Sequence, residues 1–421
     1  MLTKFTINDE TIYFEKNDKY KTVSFGMFTF TPFTTKFASE RTILASILSK
    51  SNKIYPKEQD FNIYCQELYD TSINFKNTRI ARTSLFNVLV NFINPSYVGE
   101  GKKLLFDVLK LLITNTLYPD ITKEKVELEK SILINEINNV YNNKSQYAYQ
   151  QFISHMFKDE LISKKVNGTV DDVLKVSVES VNEAYLNILK YPRIFYITGD
   201  ILEEDIKEFF SSVHLPKTNG DLSDIEFIDK ETKDIIKVNE VIESQDISQS
   251  ILCMGYRSNI MMYDDLYIPM CVFSAMLGGF FHSTLFQVIR EEHSLAYSVM
   301  SDYNGRKGNM AIVCGIDKDK YNDVVNMVKD IINDYQNGII DTENMELTKK
   351  GIINNTIKSE DSVSSSLYNV YNELVGIKNL TLEEKIKMVE DVTVDDIIKV
   401  ANIIKLDTIY FLKGDKDEEN N

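Results

Sequence analysis

The chain has 421 residues, and 47 Lys+Arg against 63 Asp+Glu leave a formal net charge of −16. An acidic chain without a Lys/Arg cluster lacks the electrostatic footprint of nucleic-acid or anionic-membrane binding, so neither is expected as a partner. An apolar fraction of 43% with only 16 Gly and 7 Pro excludes disorder and a turn-rich all-β chain, and the length suffices for two or three domains.

The opening segment, MLTKFTINDETIYFEKND, has no apolar h-region and no small-residue cleavage site, which predicts a cytoplasmic protein. TVSFGMFTF, ending at Phe30, reads as a strand. A helix follows in TILASILSKSNKIYP, then a hairpin pattern over 72–90 and a further helix. A long helix is expected over 122–157, with Ile132, Ile137, Val140 and Tyr141 at helical spacing. A short helix, VSVESVNEAYLNILK, and a closing strand, RIFYITGD, end this half.

The same order then recurs. SILCMGYRS (250–258) opens the second half, and AYSVMS…NMAIVCG (296–315) repeats the hairpin. Glu127, Leu128, Lys130, Ile134 and Asn135 match Glu346, Leu347, Lys349, Ile353 and Asn354 within a second long helix over 342–375. VTVDDIIKVANIIK and DTIYFLKGD repeat the short helix and closing strand. Four matches in one order indicate tandem duplication. The fold class is α+β: two homologous α/β-layered domains in tandem, each a mixed, mostly antiparallel sheet with helices on one face. The polar segment 217–235 reads as a linker between domains at 1–216 and 236–421, and the acidic tail GDKDEENN as frayed. The uncharged stretch from Leu266 to Ile289 could span a bilayer by length, but Pro269, Gly278, Gly279, His282 and Gln287 favour two helices broken at Gly-Gly.

Chemistry-bearing residues are few. Cys65, Cys253, Cys271 and Cys314 form no CxxC pair and read as buried reduced thiols. No two of His155, His214, His282 and His293 are four apart, so no HxxEH or HExxH exists. His282 beside Ser283 suggests a nucleophile–base pair only on paper, and His293 reads as an exposed polar residue.

The most informative segment is LGGFFHSTLFQVIREEHSLAYSV, residues 277–299. Gly278 and Gly279 end one helix, Thr284-x-x-Gln287 fits a capping box opening the next, and Tyr297 begins a strand. Arg290 and Tyr297, seven residues apart across a helix-to-strand turn, could converge on one point. Taken alone, Arg290 reads as a cap on a local carboxylate and Tyr297 as a core aromatic.

With Gly278, Gly279, Ser283, Leu285, Phe286, Arg290, Glu291, Leu295, Ala296 and Tyr297 in this order, the segment resembles the C-terminal half of the pitrilysin/insulinase family of zinc peptidases. The resemblance extends over the whole chain and implies a clamshell of two such domains. It also implies that Arg290 and Tyr297 donate hydrogen bonds to a substrate carbonyl. The family's zinc motif, aligned on the KxYP ending of the first helix, falls on Thr42, Ala45 and Ser46, which cannot ligate zinc or act as the base. The last zinc ligand maps to Glu136 and a supporting glutamate to Glu129, both read otherwise as solvated helix carboxylates.

The wording is most similar to the family's bacterial zinc-less branch, associated by name with 5-aminopentanol modification of elongation factor P. The expectation is a non-catalytic subunit holding no cofactor itself. Its partner would be a zinc-bearing homologous subunit, or a second copy in a homodimer, acting on a peptide substrate. A purely structural or peptide-binding scaffold is the alternative.

Overall fold

The computed structural model describes residues 2–219, 225–360, 363–374 and 376–415. In chain order the first half comprises β1 (Leu2–Ile7), β2 (Glu10–Lys16), β3 (Thr22–Pro32), α1 (Ala38–Lys50), α2 (Glu58–Glu67), β4 (Ser72–Ile80), β5 (Thr83–Ile93) and α3 (Gly101–Leu117). It continues with α4 (Lys123–Asn142), α5 (Lys144–Met156), α6 (Val170–Leu174), α7 (Val178–Ile188), β6 (Arg193–Gly199) and α8 (Glu203–Ser212). The second half opens with β7 (Asn239–Gln245), β8 (Ser250–Arg257), α9 (Tyr267–Gly278), a π-helical segment (Phe286–Glu292), β9 (Ala296–Asn304) and β10 (Asn309–Ile316). It ends with α10 (Tyr321–Gln336), α11 (Thr342–Glu360), α12 (Val363–Leu374), α13 (Leu382–Glu390), α14 (Val394–Ile403) and β11 (Lys405–Gly414).

Two sheets result, ordered β1-β2-β6-β3-β5-β4 and β7-β11-β8-β10-β9. Apart from the added β1, the orders are the same. In each the closing strand joins antiparallel to the opening strand and parallel to the strand beyond it. The duplication extends to helix termini. Capping boxes at Thr169/Asp172 and Ser177/Ser180 recur at Thr381/Glu384 and Thr393/Asp396.

The long helix expected over 122–157 is two helices. Asn143 interrupts it and its side chain accepts from the Gln146 N–H, restarting α5 as an N-cap. The second long helix is described as α11, up to Glu360, and α12, from Val363. Both α5 and α12 leave the unit of their own sequential half. The chain forms two compact units, one of Met1–Asn138, Lys164–Phe227 and Val363–Gly376, the other of Asn139–Ser163, Ile228–Ser362 and Ile377–Asn421. Each sequential half therefore gives one helix to the other's unit. Part of the polar segment 217–235 and most of the acidic tail lie outside the described residues.

In the first unit, β3 alternates across the sheet. Val23, Phe25 and Met27 face the core shared with α1 and α3, while Phe28 and Phe30 face Val370 and Tyr371 of α12. In the second unit, Leu252, Met254 and Tyr256 of β8 face α9, and Ile251 and Cys253 face Ala148, Phe152 and Met156 of α5. Each sheet's own helices thus cover one face, as expected, and the exchanged helix covers the other. Gly255 admits α5: a Cβ there would lie 2.6 Å from both Phe152 and Met156 side-chain atoms.

A buried ionic cluster in the second unit holds the segment following α5. Arg257 pairs with Asp407, reaches Glu160 at 2.6 Å and donates to the Met156 carbonyl at 2.9 Å. Lys307 meets the other Glu160 oxygen at 2.6 Å and Asp229 at 3.3 Å. Among the described residues no helix is long and apolar enough to cross a membrane. The stretch from Leu266 to Ile289 is, as expected, two helical segments parted at Gly-Gly.

Candidate functional site

The position of the absent zinc motif is filled by an amide and hydroxyl network. On α1, the Thr42 hydroxyl contacts the Ala38 carbonyl at 3.1 Å and Asn167 Oδ1 at 3.2 Å, and accepts from Asn77 Nδ2 at 3.1 Å. Ser39 donates to the Asn167 carbonyl at 3.0 Å. Ala45 is buried in the apolar core, and Ser46 is half-buried. Two hydroxyls and a methyl group do not fit Zn²⁺, which takes imidazole, thiolate or carboxylate ligands. Among the described residues no group of three His, Cys, Asp or Glu side chains is arranged to hold a metal ion.

Glu136 is exposed on α4, as a solvated carboxylate would be. Glu129 is not solvated. It is 4% exposed, and one oxygen accepts from Lys50 Nζ at 2.6 Å. A buried carboxylate needs a compensating charge, and the last residue of α1 supplies it. Sequence reasoning missed Lys50 because the pair joins two helices far apart in the chain.

The segment after Gly-Gly is built differently from expectation. Gly278 is required by packing: a Cβ there would lie 2.5 Å from the Ser301 nitrogen of β9. The capping box at Thr284 and Gln287 does not form. Thr284 instead shares a hydrogen bond of 2.7 Å with the Tyr335 hydroxyl and accepts from Asn344. Gln287 donates its side chain to the Phe281 carbonyl at 2.6 Å, and its backbone N–H to Ser283. His282 bonds Thr348 at 3.1 Å and stacks on Phe280, so it does not pair with Ser283, which is fully buried. His293 is exposed and its Nδ1–H donates to the Val288 carbonyl at 2.9 Å.

Arg290 lies in the π-helical segment, where the His293 N–H reaches back five residues to the Val288 carbonyl. The wide turn keeps Leu285 and Ile289 fully buried and leaves Arg290 exposed. Its guanidinium sits over the Phe286 ring, 4.7 Å from the centroid, and 3.5 Å from Glu291. Phe286 meets Phe281 edge-on at 5.3 Å, and Phe281 is 79% exposed. A local carboxylate does sit beside Arg290, but the contact is long and exposed, so it leaves the guanidinium free to take another acceptor.

Tyr297 is not a core aromatic; it is 55% exposed. The β9–β10 ladder pairs Gly315 with Ser298 and Ile316 with Ala296, so Tyr297 is the extra residue of a β-bulge. In a regular strand it would share a face with buried Val299. The bulge turns it out, and its hydroxyl donates to Asp317 Oδ1 at 2.8 Å. Asp317 follows β10 directly and carried no sequence signal.

The remaining candidates are chemically quiet. All four cysteines are free thiols, and burial pushes Cys65 and Cys271 up to about 11 and Cys314 up to about 12, away from the nucleophilic thiolate. His155 stacks on Tyr410, and His214 is exposed beside a shallow surface depression in the first unit.

Comparison with known proteins agrees with this geometry. Residues 175–352 match the family described as Peptidase M16 inactive domain. The chain is 28% identical to the probable inactive metalloprotease YmfF of Bacillus subtilis, over 96% of each chain. A conserved protein from Enterococcus faecalis superposes with a TM-score of 0.91 at 25% identity, covering 100% of both chains. The peptidase M16 inactive domain protein from Pseudomonas fluorescens has the same fold, with a TM-score of 0.77 at 12% identity over 100% of both chains.

Proposed function

We propose that this chain, which is similar to inactive homologues of the M16 peptidases, is the non-catalytic subunit of a heterodimeric zinc peptidase. One observation carries the reading. Both motif residues, Arg290 and Tyr297, are presented to solvent by one-residue irregularities, a π-turn and a β-bulge. Such irregularities interrupt regular hydrogen bonding and concentrate at functional sites. A solvent-exposed guanidinium and a phenol suit the polarisation of a peptide carbonyl and the stabilisation of its oxyanion. The zinc and its activated water belong to the partner subunit, which this chain completes in trans.

The experiment is reconstitution. Alone, the chain is expected to bind no zinc and cleave no peptide. Co-expressed with a zinc-bearing homologue, it supports cleavage, and Arg290→Ala lowers turnover about 10²-fold, the usual size for losing one oxyanion donor. Unchanged turnover in Arg290→Ala and in Tyr297→Phe replaces this reading with the scaffold, in which the chain holds peptide or partner without touching the reacting carbonyl.

A further inference from the structure

The Tyr297 hydroxyl has one proton, and the structure commits it. The phenol donates to Asp317 Oδ1 at 2.8 Å, on the side to which the bulge turns the ring. Asp317 is fixed in its turn. It follows directly on the fully buried Ile316, the last paired residue of β10, and opens the turn Lys318–Lys320. A carboxylate acceptor makes a charge-assisted hydrogen bond, about twice as strong as a neutral one. The residue is 55% exposed, and this bond restrains its phenol.

We propose that Asp317 is the positioning residue of Tyr297: it fixes the phenol on the bulge and holds its O–H until a peptide carbonyl takes the carboxylate's place as acceptor. This rests on the role proposed above for Tyr297. Donation to the carbonyl follows when the O–H turns away from Asp317. No bond other than hydrogen bonds forms or breaks, and no proton leaves the phenol.

The test is a double-mutant cycle in the reconstituted heterodimer, cleaving one fluorogenic peptide. Asp317→Ala is expected to lower kcat/KM about tenfold, and Asp317→Asn, which keeps an acceptor oxygen, to restore most of it. Both substitutions are expected to be silent in the Tyr297→Phe background. Equal losses with and without the phenol would show a merely structural carboxylate and overturn the proposal. So would wild-type activity in Asp317→Ala when Tyr297→Phe is impaired, an outcome that leaves the proposed function standing. If Tyr297→Phe is itself silent, Asp317 has no phenol role to support and the proposal falls; if Arg290→Ala is silent as well, the proposed function has failed.

A second measurement needs no partner. In the full chain labelled with 3-fluorotyrosine, the ¹⁹F resonance missing from Tyr297→Phe identifies the phenol. Removing the acceptor of its hydrogen bond is expected to shift that resonance, because the ring is released from its rotamer. An unmoved resonance in Asp317→Ala overturns the assignment of Asp317 whatever the heterodimer does.

Discussion

Lys50 and Glu129 form a 2.6 Å ion pair with very unequal exposure, 34% for the lysine side chain and 5% for the carboxylate. The carboxylate is therefore the dependent partner. Lys50→Met leaves Glu129 buried without a cation and is expected to cost about 2 kcal/mol, discounted because the lysine is partly solvated. The double variant Lys50→Met/Glu129→Leu removes both charges and is expected to recover most of that loss. Urea unfolding of the three proteins decides it, and a double variant no more stable than Lys50→Met would show that the pair is incidental. The same pair shows why residue chemistry was only partly legible beforehand. Arg290 and Tyr297 stand in a contiguous motif, so the sequence singles out both positions. The burial of Glu129 depends on α1 meeting α4, and the outward turn of Tyr297 on one skipped residue in a ladder. Neither leaves a local pattern in the sequence.

At the scale of elements, what is local was legible and what is exchanged was not. Strand alternation, the closing strands and the paired short helices follow from periodicity and capping residues within a few positions. The fate of α5 and α12 does not, since a helical period shows that a helix has an apolar stripe without naming the sheet it covers. One signal did exist. The run from Val23 to Thr31 is buried at every position, and VSFGMFTF reads almost without a polar break, the mark of a strand covered on both faces. A half with helices on only one side could not supply that cover. The exchange predicts a large cost at its contact residues. Phe152 of α5 is fully buried against β8 beneath Gly255, so Phe152→Ala is expected to destabilise the protein by about 3–5 kcal/mol. Thermal or urea unfolding measures this. A loss below about 1 kcal/mol would mean that α5 is not held by the packing described.

At the scale of the whole molecule, the exchange makes the duplicated halves interdependent in a way that duplication alone does not. Residues 1–216 include every strand of the first sheet but not α12, so Phe28, Phe30, Tyr13 and Tyr196 lose Val370 and Tyr371. They also carry α5 with Ala148, Phe152 and Met156 bare, because β8 and β11 lie in the other half. Residues 236–421 carry the complementary deficits, and Arg257 loses Glu160 while keeping Asp407. Each half alone thus exposes two apolar faces where the intact chain exposes none there, and faces of this kind drive association. The second half also holds an ionic cluster short of two carboxylates, Glu160 and Asp229. Separately expressed, each half is expected to be insoluble or to lack cooperative unfolding. Co-expressed, the two are expected to assemble into a soluble complex that unfolds in one transition. Independent, cooperative folding of residues 1–216 would contradict this. The folding unit would then be the sequential half that the repeat suggests, and α5 and α12 would be additions to a fold already complete.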